Sequence, residues 1–195
     1  MHLGILLSVA LLAGLGAAPA RAQAPGGSPV APLESPTARV AVMDVALYNA
    51  QANLQERTDA EKAALADSVL HATLARLLPG QLADSAEVRS AAGADSLRAL
   101  RGDQRCDVIV ACARAVGRAV GAGWVVMAKV SKTSNLIWLL TGQLIEVPTG
   151  EIVLDDSTEL KGDPEPMIRA GVRIFAERVA RTVTERSGAA QAARP

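Results

Sequence analysis

Trp124-Val-Val-Met-Ala-Lys-Val-Ser131, Leu136-Ile-Trp-Leu-Leu-Thr-Gly-Gln-Leu-Ile-Glu-Val147 and Glu151-Ile-Val-Leu-Asp-Asp-Ser-Thr-Glu-Leu160 follow one another with two short gaps between them. β-Branched and large apolar residues dominate each stretch, and the gaps are short enough for hairpin turns, so the three read as an antiparallel meander. Leu136–Leu140 is apolar at consecutive positions, which predicts an interior strand with both faces covered. Gln143-Leu144-Ile145-Glu146 is closer to the alternation of a strand with one wet face. Pro148-Thr149-Gly150 supplies the second turn, proline presetting φ and glycine accepting the positive φ that follows.

Upstream, Arg39–Tyr48 reads as a first strand, apolar on both faces and therefore interior, followed by a polar loop, Asn49–Arg57. Thr58-Asp59-Ala60-Glu61 matches a capping box, and Leu65, Val69, Leu70, Leu74, Leu77 and Leu78 continue at helical spacing until Pro79-Gly80. Gln81–Arg105 carries weaker signals, with Ala86–Arg89 as a short edge strand and Gly93–Leu100 as a helical turn or two. Val110–Val120 is helical, with Cys112, Ala113, Val116 and Val120 on one face. Ile168, Val172, Phe175 and Val179 form the buried stripe of a last helix. Its column Arg169, Arg173, Glu177, Arg181 and Glu185 reads as a solvated face, and Ser187–Pro195 as a disordered tail. The predicted fold is a single α/β domain over residues 38–186: a mixed sheet with an antiparallel three-strand meander, flanked by helices.

Leu3–Leu15 followed by Ala20-Arg21-Ala22 predicts a signal peptide over residues 1–22, with the mature chain starting at Gln23. Residues 23–37, with Pro25, Pro29, Pro32, Pro36 and Gly26-Gly27, read as a Pro/Gly-rich linker. The chain has 20 basic and 20 acidic residues; losing Arg21 with the leader leaves 19 against 20, a net charge of −1. That balance argues against nucleic acid as a partner. No later stretch is long and apolar enough to span a membrane.

Few residues offer catalytic or metal chemistry. His71 is the only histidine after the leader, and with two cysteines it does not make a zinc set, so no metal and no cofactor is expected. Gly117, Gly121 and Gly123 stand between a helix and a strand, the reverse of a phosphate-binding order, and read as a helix C-cap with close packing. Ser131-Lys132 and Ser134 are turn-adjacent rather than a nucleophile and its base. Asp155, Asp156 and Glu159 read as a wet strand end. Lys129 and Lys132 flank the first turn and are candidates for contact with an acidic partner. Lys132→Asp is then expected to cost less than about 0.5 kcal/mol, whereas Trp138→Asp should unfold the domain.

Gly121-Ala122-Gly123-Trp124-Val125-Val126, Lys129-Val130-Ser131-Lys132, Ser134-Asn135-Leu136-Ile137 and Pro148-Thr149-Gly150-Glu151-Ile152-Val153 together resemble a family of small secreted bacterial proteins known only as a domain of unknown function. That family is similar in turn to the amino-terminal domain of the Tol–Pal periplasmic propeller protein and to curli-secretion lipoproteins. The resemblance spans Arg39 to Val183 and implies an α/β domain in the cell envelope, without the curli-type membrane hairpins. The family pattern places two cysteines before the helix that precedes Trp124; here they are Cys106 and Cys112, spaced more widely. An exported chain with two cysteines meets an oxidising compartment, so a Cys106–Cys112 disulfide is expected. It requires a turn over Cys106–Ile109, because one continuous helix would hold the pair apart. The other possibility is a reduced pair within such a helix. The functional expectation is an exported, periplasmic, non-catalytic module that binds or scaffolds an envelope protein partner. A subunit of an oligomeric secretion or assembly apparatus, and a hydrolase of unidentified substrate, are the alternatives.

Overall fold

Five strands form one mixed sheet in the computed structural model, which describes residues 38–49, 56, 58–134 and 136–192. The leader, the linker over 23–37 and most of the Asn49–Arg57 loop lie outside the described residues. β3 (Trp124–Lys132) lies between two kinds of neighbour. On one side it pairs in parallel with β1 (Val40–Val42) and β2 (Ala46–Asn49). On the other it pairs antiparallel with β4 (Ile137–Glu146), which pairs with β5 (Ile152–Lys161). α1 (Thr58–Leu77) and α5 (Pro164–Ala192) cover one face. α2 (Ser85–Gly93) and α4 (Val110–Ala119) pack on the other, with the short α3 (Arg98–Arg101) and a 3-10 turn over Cys106–Val108 between them. The architecture is the α/β fold with an antiparallel meander that the sequence predicts.

Alternation along β3 builds two cores. Trp124, Val126, Ala128 and Val130 point toward Leu70 and Leu74 of α1 and Phe175 and Val179 of α5. Val125 and Met127 point toward Val88 of α2 and Cys112 and Val116 of α4. Each fully buried side chain of this kind contributes about 1.5–3 kcal/mol of transfer free energy, so β3 is anchored from both sides.

β4 departs from its expected burial. It lies inside the sheet, and Trp138 and Leu140 are buried, but Leu136 is 73% exposed and Ile137 and Leu139 are only half-buried. The second-face helix α4 shares its core with Ile145, at the far end of β4, and leaves the rest of that face open. A consecutive apolar run therefore marks one covered face here, not two.

The first strand is an edge, not an interior strand, and it is broken. Val42 pairs with Val126 and Ala46 with Lys129, so Met43, Asp44 and Val45 face only Met127 and Ala128: a bulge. The edge of β1 is closed by the chain after α1. Val40 donates to the Gln81 carbonyl at 2.8 Å, and Ala83 donates to the Val40 carbonyl at 2.8 Å. That cover gives an edge strand an interior composition. The bulge amide of Val45 donates to Asp67 Oδ1 of α1 at 3.0 Å.

Two helix starts also differ from expectation. Asp59, not Glu61, reaches back over the start of α1, its Oδ2 accepting the Glu56 amide at 3.1 Å. Ala86–Arg89 is helix, not strand: Asp84 caps α2, its Oδ1 accepting the amides of Ala86 and Glu87 at 2.8 and 3.1 Å. Asp84 with Glu87 three residues on is itself a capping-box pattern. α4 ends in a Schellman motif, with Ala122 donating to Gly117, Gly121 donating to Arg118, and Gly121 at φ +65°. α5 continues to Ala192, past Ser187 where the expected tail begins.

Gly142 of β4 lies directly under the Phe175 ring, and a β-carbon there would overlap the ring. Gly142→Ala is expected to lose about 1–3 kcal/mol. Gly188→Ala, on α5 with open space around it, should instead gain about 0.5–1 kcal/mol. Urea melts of the two variants check the opposite signs, and Phe175→Leu should recover part of the Gly142→Ala loss.

Candidate functional site

The β1–β2 bulge turns Asp44 outward beside the second-face layer, where α2, α3 and the 3-10 turn meet. Cys106, at the start of that turn, is disulfide-bonded to Cys112 in the first turn of α4, with Cα atoms 5.1 Å apart. α4 starts at Val110, so the turn separates the two cysteines as a bridge requires. The bridge ties the end of the irregular segment to the core, and both sulfurs belong to residues buried in the second core. Asp107, between them in sequence, is carried inward.

Two clefts open on either side of Asp107. The first, of about 290 Å³, has Met43, Val88 and Cys106 as its apolar lining and Asp44, Arg89, Arg101, Arg105 and Asp107 as its charged one. The second, of about 320 Å³, lies where the turn meets the open face of β3 and β4, with Val108, Met127, Lys129, Thr141 and Gln143 around it. Asp107 is 4% exposed, and its Oδ1 has no hydrogen-bond partner among the described residues. Arg105 Nη2 stands 2.6 Å from Oδ2, a close charged pair. Burial raises the Asp107 carboxyl above its ordinary value, and the Arg105 guanidinium pulls it back only in part. Asp44 sits 3.7 Å from Arg89 and 4.0 Å from Arg105, loose pairs that contribute little to stability. Arg101 donates from Nη1 to the Gln104 carbonyl at 3.4 Å, while its Nε is buried without a partner.

The two lysines proposed for partner contact part company. Lys129 is half-buried at the second cleft, its ammonium 5.6 Å from the centre of the Tyr48 ring. Lys132 is no surface residue: it is the last residue of β3, 3% exposed, and points into the first face. Its ammonium donates to Asp59 Oδ1 and Oδ2 at 3.2 and 3.4 Å and pairs with Glu56 at 3.1 Å. Asp59 also accepts from Asn49 Nδ2 at 3.3 Å, joining the end of β2 to the start of α1. Burial opposes the Lys132 charge, but the hydrogen bonds and charges of Glu56 and Asp59 outweigh it and raise the ammonium pKa. Parity along the strand was the available signal, because Lys132 shares its face with Val126 and Val130.

His71 pairs with Asp67 of its own helix at 3.8 Å and does not line either cleft. Asp155, Asp156 and Glu159 lie along β5, where Asp156 pairs with Arg178 at 2.7 Å and Glu159 with Lys161 at 3.3 Å. Among the described residues no group of three or more His, Cys, Asp and Glu side chains is placed to hold a metal ion. No described helix is long and apolar enough to cross a membrane. Arg101 and Asp107 carried no motif in the sequence; burial and a missing partner are what single them out.

The profile of a protein family described as a protein of unknown function, DUF3280 (DUF2380), matches residues 38–179. No curated protein matches the chain. Among solved structures, the C-terminal domain of LpoB from Salmonella enterica is 20% identical, over 65% of this chain and 85% of that one, with a TM-score of 0.44. The PelC dodecamer from Paraburkholderia phytofirmans is 14% identical, over 78% and 91%, with a TM-score of 0.41. Lipoprotein GNA1162 from Neisseria meningitidis is 13% identical, over 74% and 97%, with a TM-score of 0.40. Likenesses of this strength carry nothing about partner or activity. None of these three structures is a Tol–Pal propeller protein or a curli-secretion lipoprotein.

Two consequences are measurable. Lys132→Asp, cheap if the residue were in a turn, is expected to cost about 3–5 kcal/mol in urea melts, because it sets an unpaired charge beside Asp59. Asp107 contributes stability below its ordinary pKa of 3.8, where it is protonated folded and unfolded alike, and loses it as pH rises through the raised folded value. Asp107→Asn should therefore gain on the wild type as pH rises from about 4 to 7; thermal melts at several pH values read the difference, and a gap that shrinks over that range contradicts it.

Proposed function

The chain belongs to this family of unknown function, and we propose that it is an exported, non-catalytic module of the cell envelope that binds a protein partner at the cleft beside Asp107. One observation carries the reading. Buried polar atoms without partners, Arg101 Nε and Oδ1 of Asp107, belong to residues that line a single cleft. Such groups cost stability in the free protein and are relieved when a partner meets them. The nearby Cys106–Cys112 disulfide supports an oxidising compartment and agrees with the leader over residues 1–22. Residues 23–37 then serve as the tether that lets the domain reach its partner. Kinship with the Tol–Pal domain and the curli-secretion lipoproteins, drawn from Gly121–Val153, belongs to the same proposal. Lys129, at the adjoining cleft, borders the proposed surface.

Site-specific photo-crosslinking in bacterial cells tests it. A photoreactive residue replacing Gly93, exposed at the cleft with open space around it, is expected to give one discrete higher-mass adduct in the envelope fraction. The same residue replacing Ile174, half-exposed on the outer side of α5, should give none. Intact-mass analysis of the uncrosslinked protein should show a chain starting at Gln23. Adducts from Ile174 alone, or an uncleaved cytoplasmic product, would overturn the proposal.

A further inference from the structure

The same cleft restricts what a partner must present. Arg101 Nε is a donor without an acceptor and Asp107 Oδ1 an acceptor without a donor, so the two residues do not satisfy each other; Oδ2 already faces the Arg105 guanidinium at 2.6 Å. A ligand that meets both must carry an acceptor and an N–H or O–H close together. Charge narrows the choice further. Arg89, Arg101 and Arg105 face Asp44 and Asp107, three positive charges against two negative, an excess of one. An ammonium group supplies donors only and would enter beside three guanidinia. A sulfate supplies acceptors only, and a hydrogen phosphate, though it keeps an O–H, brings two negative charges against an excess of one; either sets an anion beside Asp107. A planar carboxylate suits a guanidinium fork, and a carboxylate with an amide N–H one atom away suits both orphans. That combination occurs at the last residue of any polypeptide that does not end in proline. The apolar lining of Met43, Val88 and Cys106 offers its side chain a dry contact.

We infer that this cleft captures the free C-terminal residue of a partner polypeptide, its α-carboxylate on Arg101 and Arg89, its amide N–H on Asp107, and an apolar side chain against Met43 and Val88. This rests on the reading of the cleft as the partner-binding surface. The C-terminus, rather than an internal segment, supplies the recognised group.

The test uses the oxidised, exported protein and three pools of hexapeptides randomised at every position except a final leucine. One pool ends in a free carboxylate, one in a carboxamide, and one in a free carboxylate with the last peptide nitrogen methylated. Fluorescence anisotropy is expected to show saturable binding of the first pool, weakened by at least roughly tenfold in each of the others. Arg101→Gln, with its fold checked by thermal melting, should weaken the first pool to the level of the second. The ligand-side comparison stands even if that variant does not fold. Equal binding of acid and carboxamide pools would overturn the inference while leaving a peptide-binding cleft. Binding of none of the pools would also overturn it, and the adduct from position 93 then decides separately whether the surface binds a partner at all.

Discussion

Burial of β3 on both faces is the constraint from which the rest follows. Its even-numbered residues from Trp124 to Val130 belong to one core and Val125 and Met127 to the other. β1 alternates in the same way, Val40 and Val42 in the first core and Ala41 in the second, but over three residues only. Because β3 pairs with the edge strands on one side and the meander on the other, it also sets both registers. The one-residue slip between β1 and β2 is a consequence: it is absorbed at Met43–Val45, and Asp44 is aimed at the cleft as a result. Lys132 closes the same strand with a cation, and the Asp59 carboxylate that receives it fastens α1 to the end of the sheet.

Legibility in the sequence followed the strength of local signals. The meander and its Pro148-Thr149-Gly150 turn were readable because apolar content, alternation and turn chemistry agree there. The helix of residues 110–119 and its glycine ending were readable for the same reason. Gln81–Arg105 was not, since its short helices bury little, with Val88 the one buried core residue of α2. β1 looked interior because Gln81–Ala83 covers its edge, a tertiary event that no periodicity reports. Leu136–Leu140 looked doubly covered because apolar residues on an open face carry no mark of the helix that fails to reach them.

The candidate site was legible only at its cysteines. Asp107 reads as one carboxylate among 20 acidic residues, and its burial depends on a turn that the disulfide and α4 create together. Arg101 is likewise one of many surface-type cations until its Nε is seen to be enclosed. Lys132 carries the opposite lesson. Proximity to a turn suggested exposure, whereas counting parity from Val126 placed it inside. Charged residues near loops are read better by strand parity than by distance from a turn.

β3 organises the domain while the disulfide holds the cleft, two separable levels of structure. Amide hydrogen exchange on the oxidised and reduced protein tests that division most directly. Reduction is predicted to speed exchange across Cys106–Ile109 and the first turn of α4, while the β3 amides from Trp124 to Val130 remain the slowest in the domain and change least. Equal acceleration at β3 would mean that the disulfide supports the whole core, and no change at Cys106–Ile109 would mean that it does not hold the cleft at all.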